Sequence, residues 1–228
     1  MQMVFGDGHD FLGHFTECID VICHEMTHAI TEHTSPLDYQ GQSGALNEHI
    51  SDVFGIMCKH MVENVTSDKD DWLIGEGCLM PGVKGVALRN MKAPGTAYND
   101  ARFVSIRRLG SQISLVADAN SHGQGKDPQP DHFSGYKSTD RDNGGVHLFS
   151  GIPNKAFYLA SVALGGYSFQ KPGQIWWKTM QSGRIPPKCT FVQFADVTVE
   201  VAQELYGPEA AKAVRSAWTQ VGVVRAGF

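Results

Sequence analysis

The string His24-Glu25-Met26-Thr27-His28, with nineteen residues separating it from Glu48 in Gly44-Ala45-Leu46-Asn47-Glu48-His49-Ile50-Ser51-Asp52, constrains this chain more than any other feature. On a helix, positions i and i+4 share a face, so the imidazoles of His24 and His28 converge on one point. Two neutral imidazole nitrogens and one carboxylate oxygen, from Glu48, make a three-ligand zinc site with a fourth position open. An open position is the mark of a catalytic metal site. Glu25, beside the first ligand, is placed to accept a proton from water.

The surroundings favour helices on both sides of the site. Ile19, Val21, Ile22, Met26, Ala29 and Ile30 interleave with the motif at near-helical spacing, which predicts a buried helix from about Phe15 to Glu32, ended by Pro36. Gly41, Ser43 and Gly44 punctuate the connection to a second pattern, Ala45, Leu46, Ile50, Val53, Phe54, Ile56 and Met57, read as a helix over roughly 43–61. Glu48 and Asp52 are again i and i+4, so one carboxylate can reach a metal while the other meets an imidazole N–H from behind. On the residues alone, packed core histidines beside a surface carboxylate pair stay open as the alternative.

With 228 residues the chain has ample length for one core. Its 42% hydrophobic and 19% charged content is that of a globular protein. The net charge of −5 comes without any Lys/Arg run, which argues against nucleic acid as a partner. The longest apolar stretch, 156–169, is too short and too broken by glycine to span a bilayer. The chain opens Met-Gln-Met-Val-Phe-Gly-Asp-Gly without a charged segment and apolar core, so no signal peptide is expected at its start. Five cysteines, an odd number at irregular spacing without a CxxC pair, argue against a sulfur-ligated metal centre and against a dense disulfide framework. Cys18, Cys23 and Cys58 read as small core residues, whereas Cys78 and Cys189 fall in loops and are candidates to pair.

Along the chain, the reading is mainly α, with a short strand at the N-terminus. The zinc-binding helix pair occupies 1–62. A long loop region, rich in Gly, Pro, Asp and Asn, covers 63–144. Helical pattern returns over 145–228, at about 147–164, 172–183, 190–206 and 208–222, and packs with 1–62 as one domain. Long loops of this kind are unusual unless functional. One string in them stands out, Asp142-Asn143-Gly144-Gly145-Val146-His147. A carboxylate five residues before a His, with two glycines between, can fold back to hold the imidazole. His147 charged by Asp142 would face a developing oxyanion. A helix-start turn with an incidental His is the open alternative.

Together these residues resemble the thermolysin family of zinc endopeptidases, and more closely its protealysin-like branch, over nearly the whole chain. Metzincins need a third His where Thr34 stands, and one-zinc aminopeptidases usually leave eighteen residues before the Glu where this chain leaves nineteen. The resemblance implies a helical domain of a thermolysin-like protease, one zinc ion on His24, His28 and Glu48, and Glu25 as general base. It implies Asp52 behind His24 and Asn47 behind His28. Tyr39 would assist His147, Asp142 would orient that His, and Arg89 would grip a substrate carbonyl. Val21, Ile74 and Leu88 would line the pocket for an apolar side chain just after the scissile bond. His9, His14, His33, His49, His60, His122 and His132 carry no family role and read as surface or packing residues.

Two departures from the family stand out. Lys59 and Leu73 occupy positions of a double calcium site, leaving Asp20, Asp71 and Glu76; an ammonium there replaces a cation's charge covalently, which argues against calcium. The family also places a β-rich domain ahead of the segment beginning Gln2-Met3-Val4, so an N-terminal domain or pro-segment is expected as a missing partner. Residues 104–124 have no family counterpart. They begin on Val-Ser and end on Gln, residues whose codons can carry splice signals, and they read as a retained intron or else a true surface insertion. The functional expectation is a zinc metalloendopeptidase cutting proteins or peptides before apolar residues, secreted as the family is. The alternatives are an impaired zinc-binding fragment of such a protease and a non-enzymatic helical interaction module.

Overall fold

A computed structural model of the chain describes residues 3, 5–8, 10–101 and 125–224. The insertion at 104–124 therefore lies outside the described residues. Helix α1, Ile19–Thr34, follows a 3₁₀ turn at Phe15–Glu17. Cys18 between them is extended (φ −99°, ψ 105°), so the helix starts later than the apolar periodicity suggests. Pro36, lacking an N–H, stands just past its end. Helix α2, Gly41–Glu63, closes on Asn64 in the left-handed conformation, a residue type that tolerates it. The two helices cross closely because Gly55 has no side chain. A Cβ there would sit 2.5 Å from the carbonyl oxygen of Asp20.

The orientation of α1 reverses the expectation from its apolar residues. Ile19, Met26 and Ile30 are exposed, Met26 by 53%. The buried face instead carries Asp20, Val21, His24, Thr27 and Thr31, a stripe repeating every three to four residues. Asp20, His24 and Thr27 are hydrogen-bonded there, which removes most of the cost of burying them, while the Thr31 hydroxyl has no partner among the described residues.

Between α2 and the later helices most of the described residues lie in no regular element. This segment includes the two-residue strands β1 (Leu73–Ile74) and β2 (Arg89–Asn90), antiparallel with Leu73 opposite Asn90 and Ile74 opposite Arg89. Among the described residues, the short strand expected at the N-terminus reduces to a bridge of Leu12 to Leu79, flanked by the Gly13–Cys78 and Met80–Phe11 backbone bonds. The flanks of the insertion are tied directly to each other. Asn99 pairs with Lys126, Asp100 N–H donates to Gly125 O (3.0 Å), and Asp127 N–H donates to Tyr98 O (3.0 Å).

Among the described residues the later α-helices are α3 (Asp142–Phe149, whose first four residues have left-handed φ), α4 (Gly151–Leu164), α5 (Lys171–Gln181), α6 (Phe191–Tyr206) and α7 (Pro208–Gln220). Pro172 and Pro208 sit in first turns, where a missing N–H costs nothing, and Thr190 with Gln193 forms a reciprocal cap on α6. α2 shares the core with α4–α7. Fully buried Trp72, Phe157, Trp176, Phe191, Phe194 and Trp218 dominate that core, with the Trp176 and Trp218 rings stacked at 14°. No helix among the described residues is long and apolar enough to cross a membrane.

The five cysteines are free thiols. Cys78 does not meet Cys189. Its sulfur lies 3.2 Å from that of Cys18, while the buried Cys189 thiol donates to the carbonyl of Thr190. The loop position of both residues was a poor guide, since the 3₁₀ turn at Glu76–Cys78 packs against the start of α1.

Candidate active site

Three groups converge where α1 crosses α2. The ligand atoms of His24, His28 and Glu48 all lie within 4.8 Å of one another. His24 Nε2 is 3.3 Å from one Glu48 oxygen, and His28 Nε2 is 3.6 Å from the other. Each imidazole is held from behind. His24 Nδ1 donates to Asp52 Oδ1 (2.8 Å), and His28 Nδ1 donates to Asn47 Oδ1 (2.8 Å), with Ser51 Oγ at 3.2 Å. These bonds place the proton on Nδ1 and leave both Nε2 lone pairs aimed at the shared point. Two imidazole nitrogens and a buried carboxylate, so oriented, fit a zinc-type divalent ion. Glu25, next to His24 on α1, is half-buried.

Electrostatics tighten the cluster. Burial raises the cost of charge on Glu48, but His147, His24 and His28 outweigh it and hold the carboxyl well below the usual range. Burial likewise opposes a charge on His24. Hydrogen bonding and attraction from Asp52 and Glu48 win, and lift it to about 9. A metal ion at this point therefore competes with a proton.

A second group faces the same point. Residues Asp142 to Gly145 are all left-handed, with φ of 51°, 48°, 83° and 78°. Asp, Asn and two glycines are the residues for which that conformation is least costly. The turn folds the Asp142 carboxylate back onto His147. Oδ1 accepts from Nδ1 (2.6 Å) and Oδ2 from the backbone N–H (2.8 Å). His147 Nε2 then lies 3.3 Å from the Tyr39 hydroxyl and 3.5 Å from Glu48. Tyr39 donates a short hydrogen bond to Glu48. Burial disfavours the imidazolium of His147, yet Glu48 and Asp142 shift its pKa upward on balance.

Arg89, on β2, reaches the cluster through Asp52. Its Nε and Nη2 donate to the two Asp52 oxygens at 2.8 and 2.6 Å, and Nη1 is buried without a hydrogen-bond partner among the described residues. Val21, Ile74 and Leu88 are all buried. Val21 and Leu88 share a small apolar cluster with Leu12 and Cys78, whereas Ile74 packs in the main core.

Sequence reading did not give His49 and Asn154 a place in this network. Asn154 Nδ2 donates to Asp52 Oδ2 (2.8 Å), its Oδ1 accepts from His49 Nδ1 (2.8 Å), and His49 Nε2 accepts from Trp176 Nε1 (2.8 Å). A chain of hydrogen bonds thus runs from the apolar core to the back of His24. Gln129 similarly donates to the His147 carbonyl (2.6 Å). The one available signal was polar residues at core positions of helical periodicity, which does not identify their partners.

Helices crossing around a buried His–His–carboxylate cluster, with a His–Tyr pair opposite, define the scaffold of a metallopeptidase. Residues 35–223 match the model of the thermolysin metallopeptidase α-helical domain, and residues 1–32 match that of the thermolysin metallopeptidase catalytic domain. This chain belongs to the thermolysin metallopeptidase family. It is 44% identical over 223 residues to an extracellular metalloprotease of Pectobacterium carotovorum subsp. carotovorum, covering 97% of this chain and 58% of that protein. It is 42% identical over 225 residues to protease PrtS of a Photorhabdus species, covering 97% and 55%. Its structure matches the precursor of protealysin, a metalloproteinase from Serratia proteamaculans, with a TM-score of 0.86 and 46% identity over 98% of this chain and 63% of that one. The chain thus spans under two thirds of the length of these relatives.

Proposed function

We propose that this chain carries the metal and acid–base machinery of a zinc endopeptidase, with His24, His28 and Glu48 as ligands. The observation that carries the reading is the orientation of both Nε2 atoms and Glu48 onto one point, fixed from behind by Asp52 and Asn47. The ion, when bound there, supplies Lewis acidity toward a carbonyl and toward water.

The residues divide the remaining work. Glu25 accepts the proton of the attacking water and passes it to the departing amine. His147, supported by Asp142, and the Tyr39 hydroxyl donate to the oxygen that gains negative charge. Asp52 fixes the His24 ring, and Arg89 fixes Asp52 while Nη1 remains to receive a substrate carbonyl. Val21, Ile74 and Leu88 form the wall against an apolar side chain after the scissile bond. Lys59 takes the place of calcium, since its ammonium lies 3.3 Å from Asp71 and 3.4 Å from Glu76 and donates to the carbonyl of Leu73. The extracellular relative supports action outside the cell on peptides or proteins.

The deciding experiment loads the chelated protein with one equivalent of zinc and follows a fluorogenic peptide carrying Leu or Phe after the intended bond. Cleavage on the N-terminal side of that residue, abolished by chelation and restored by zinc, is expected. A chain that takes up zinc at unit stoichiometry yet leaves every such peptide intact would overturn the reading.

A further inference from the structure

A pair of thiols at the start of α1 packs in the small apolar cluster, outside the His24–His28–Glu48 group. Cys18 immediately precedes α1, and Cys78 ends the 3₁₀ turn after β1; their sulfurs are 3.2 Å apart. Backbone contacts hold them there. Asp20 Oδ2 accepts from Gly75 N–H (2.7 Å), Gly13 N–H donates to Cys78 O (3.0 Å), and Gly77 lies so close that a Cβ would meet the Cys18 sulfur at 3.2 Å. The surroundings are apolar, with Leu12, Val21, Leu88 and Ala97 packed around them.

We propose that Cys18 and Cys78 form a disulfide that closes a covalent ring around the metal-binding residues. The ring from 18 to 78 encloses His24, Glu25, His28, Tyr39, Asn47, Glu48 and Asp52. The sulfurs, 3.2 Å apart, have to close by only about 1.2 Å to reach the disulfide bond length of about 2.05 Å. The ring restricts the unfolded chain while leaving the folded ligand geometry as it is.

The oxidant is a low-molecular-weight disulfide. Cys18 is the entry point, being 8% exposed against none for Cys78. It loses its proton and attacks the small disulfide, releasing one small thiol and leaving a mixed disulfide. Cys78 then loses its proton and displaces the second small thiol. Two S–H bonds and one S–S bond break; one protein S–S bond and two small-molecule S–H bonds form. The two electrons leave with the small thiols. Burial raises the pKa of both thiols, so the exchange is slow at neutral pH and quickens in alkali.

The test equilibrates the 228-residue chain with oxidised glutathione at pH 8, quenches in acid, alkylates in denaturant and maps the peptides. Cys18 and Cys78 should escape alkylation together and appear as one linked peptide. The melting temperature should exceed that of the dithiothreitol-treated protein by about 5–10 °C. Cys18→Ala and Cys78→Ala should each abolish that difference, and Cys189→Ala should keep it. Because alanine is apolar and smaller, both variants are expected to fold, and the thiol map of wild type decides the question if either does not. Both cysteines fully alkylated after equilibration, either one linked to a different cysteine, or equal melting temperatures of the oxidised and reduced forms would overturn the proposal.

Discussion

The α1–α2 crossing and the α4–α7 bundle solve the problem of a protein interior in opposite ways. In the bundle the inward positions of α6 are Phe191, Phe194, Ala195, Val197, Val199, Val201 and Ala202, with Thr198 bonded to Trp218. Non-directional burial of that kind is the main source of folding free energy. At the crossing the inward positions include Asp20, His24, Glu48, His49 and Asp52. Each must be matched to a partner at a fixed distance, so this region contributes little net stability while demanding geometric accuracy. α2 joins the two, with Leu46, Ile50, Val53 and Ile56 in the core and Glu48 and Asp52 in the cluster. The difference teaches that the apolar half sets the stage on which a costly polar arrangement is held.

Breaking either half separates function from stability. Glu25→Gln should keep zinc and lose roughly a hundred- to ten-thousandfold in peptide hydrolysis, with the melting temperature little changed. His28→Ala should lose the metal as well, read by elemental analysis after dialysis. Near wild-type turnover by the Gln variant would remove Glu25 from the mechanism. In the bundle, Phe157→Ala should cost about 3–5 kcal/mol by urea denaturation, because the ring is fully buried between Trp72 and Trp176. A loss below about 1 kcal/mol would contradict the division of labour.

His49 tests the link between the halves. Burial pushes it down to about 4, with Asn154 and Asp52 opposing, against an ordinary value near 6.5. The unfolded chain therefore binds the extra proton first as pH falls. Stability due to neutral His49 is complete above about pH 6.5 and declines by about 3 kcal/mol as pH falls through 4. His49→Gln can keep hydrogen bonds to both Asn154 and Trp176, so its stability should fall less steeply between pH 6.5 and 4. Parallel pH profiles for the two proteins would detach His49 from the network.

Smaller effects are expected at the periphery. Lys59→Met should cost no more than about 1 kcal/mol, since Asp71 and Glu76 are both about half exposed and water screens them. Millimolar calcium should leave the wild-type melting temperature unchanged, and a rise of several degrees that chelation reverses would refute the lysine-for-calcium reading. Excising 104–124 should change stability least, by under about 1 kcal/mol. Residues 98–100 and 125–127 already bond across the junction, and closure entropy grows slowly with loop length. Transcripts lacking that segment would support the retained-intron reading, and a large loss of stability on excision would refute it.

The sequence by itself determined where four of the helices run, while the single helix expected over 147–164 is divided between α3 and α4. Their apolar periods and proline and glycine punctuation are local properties, and α2, α5, α6 and α7 fall within about two residues of the expected bounds. It also brought His24, His28, Glu48, Asp52, Asp142 and His147 forward as candidates, because i,i+4 spacing and a double-glycine turn act over short distances, whereas Asn47 and Tyr39 came only with the family resemblance. Only the tertiary structure decided which way α1 faces. Counting apolar residues pointed Ile19, Met26 and Ile30 inward, whereas the hydrogen-bonded stripe through Asp20, His24 and Thr27 is what lies inside. It decided too that Cys78 meets Cys18, that Arg89 grips Asp52, and that Asn154 carries a hydrogen bond from His49 to the same carboxylate. Those contacts join residues separated by 37 to 105 positions. A side chain's type fixes how many bonds it can make, but only the packing of distant segments fixes with whom.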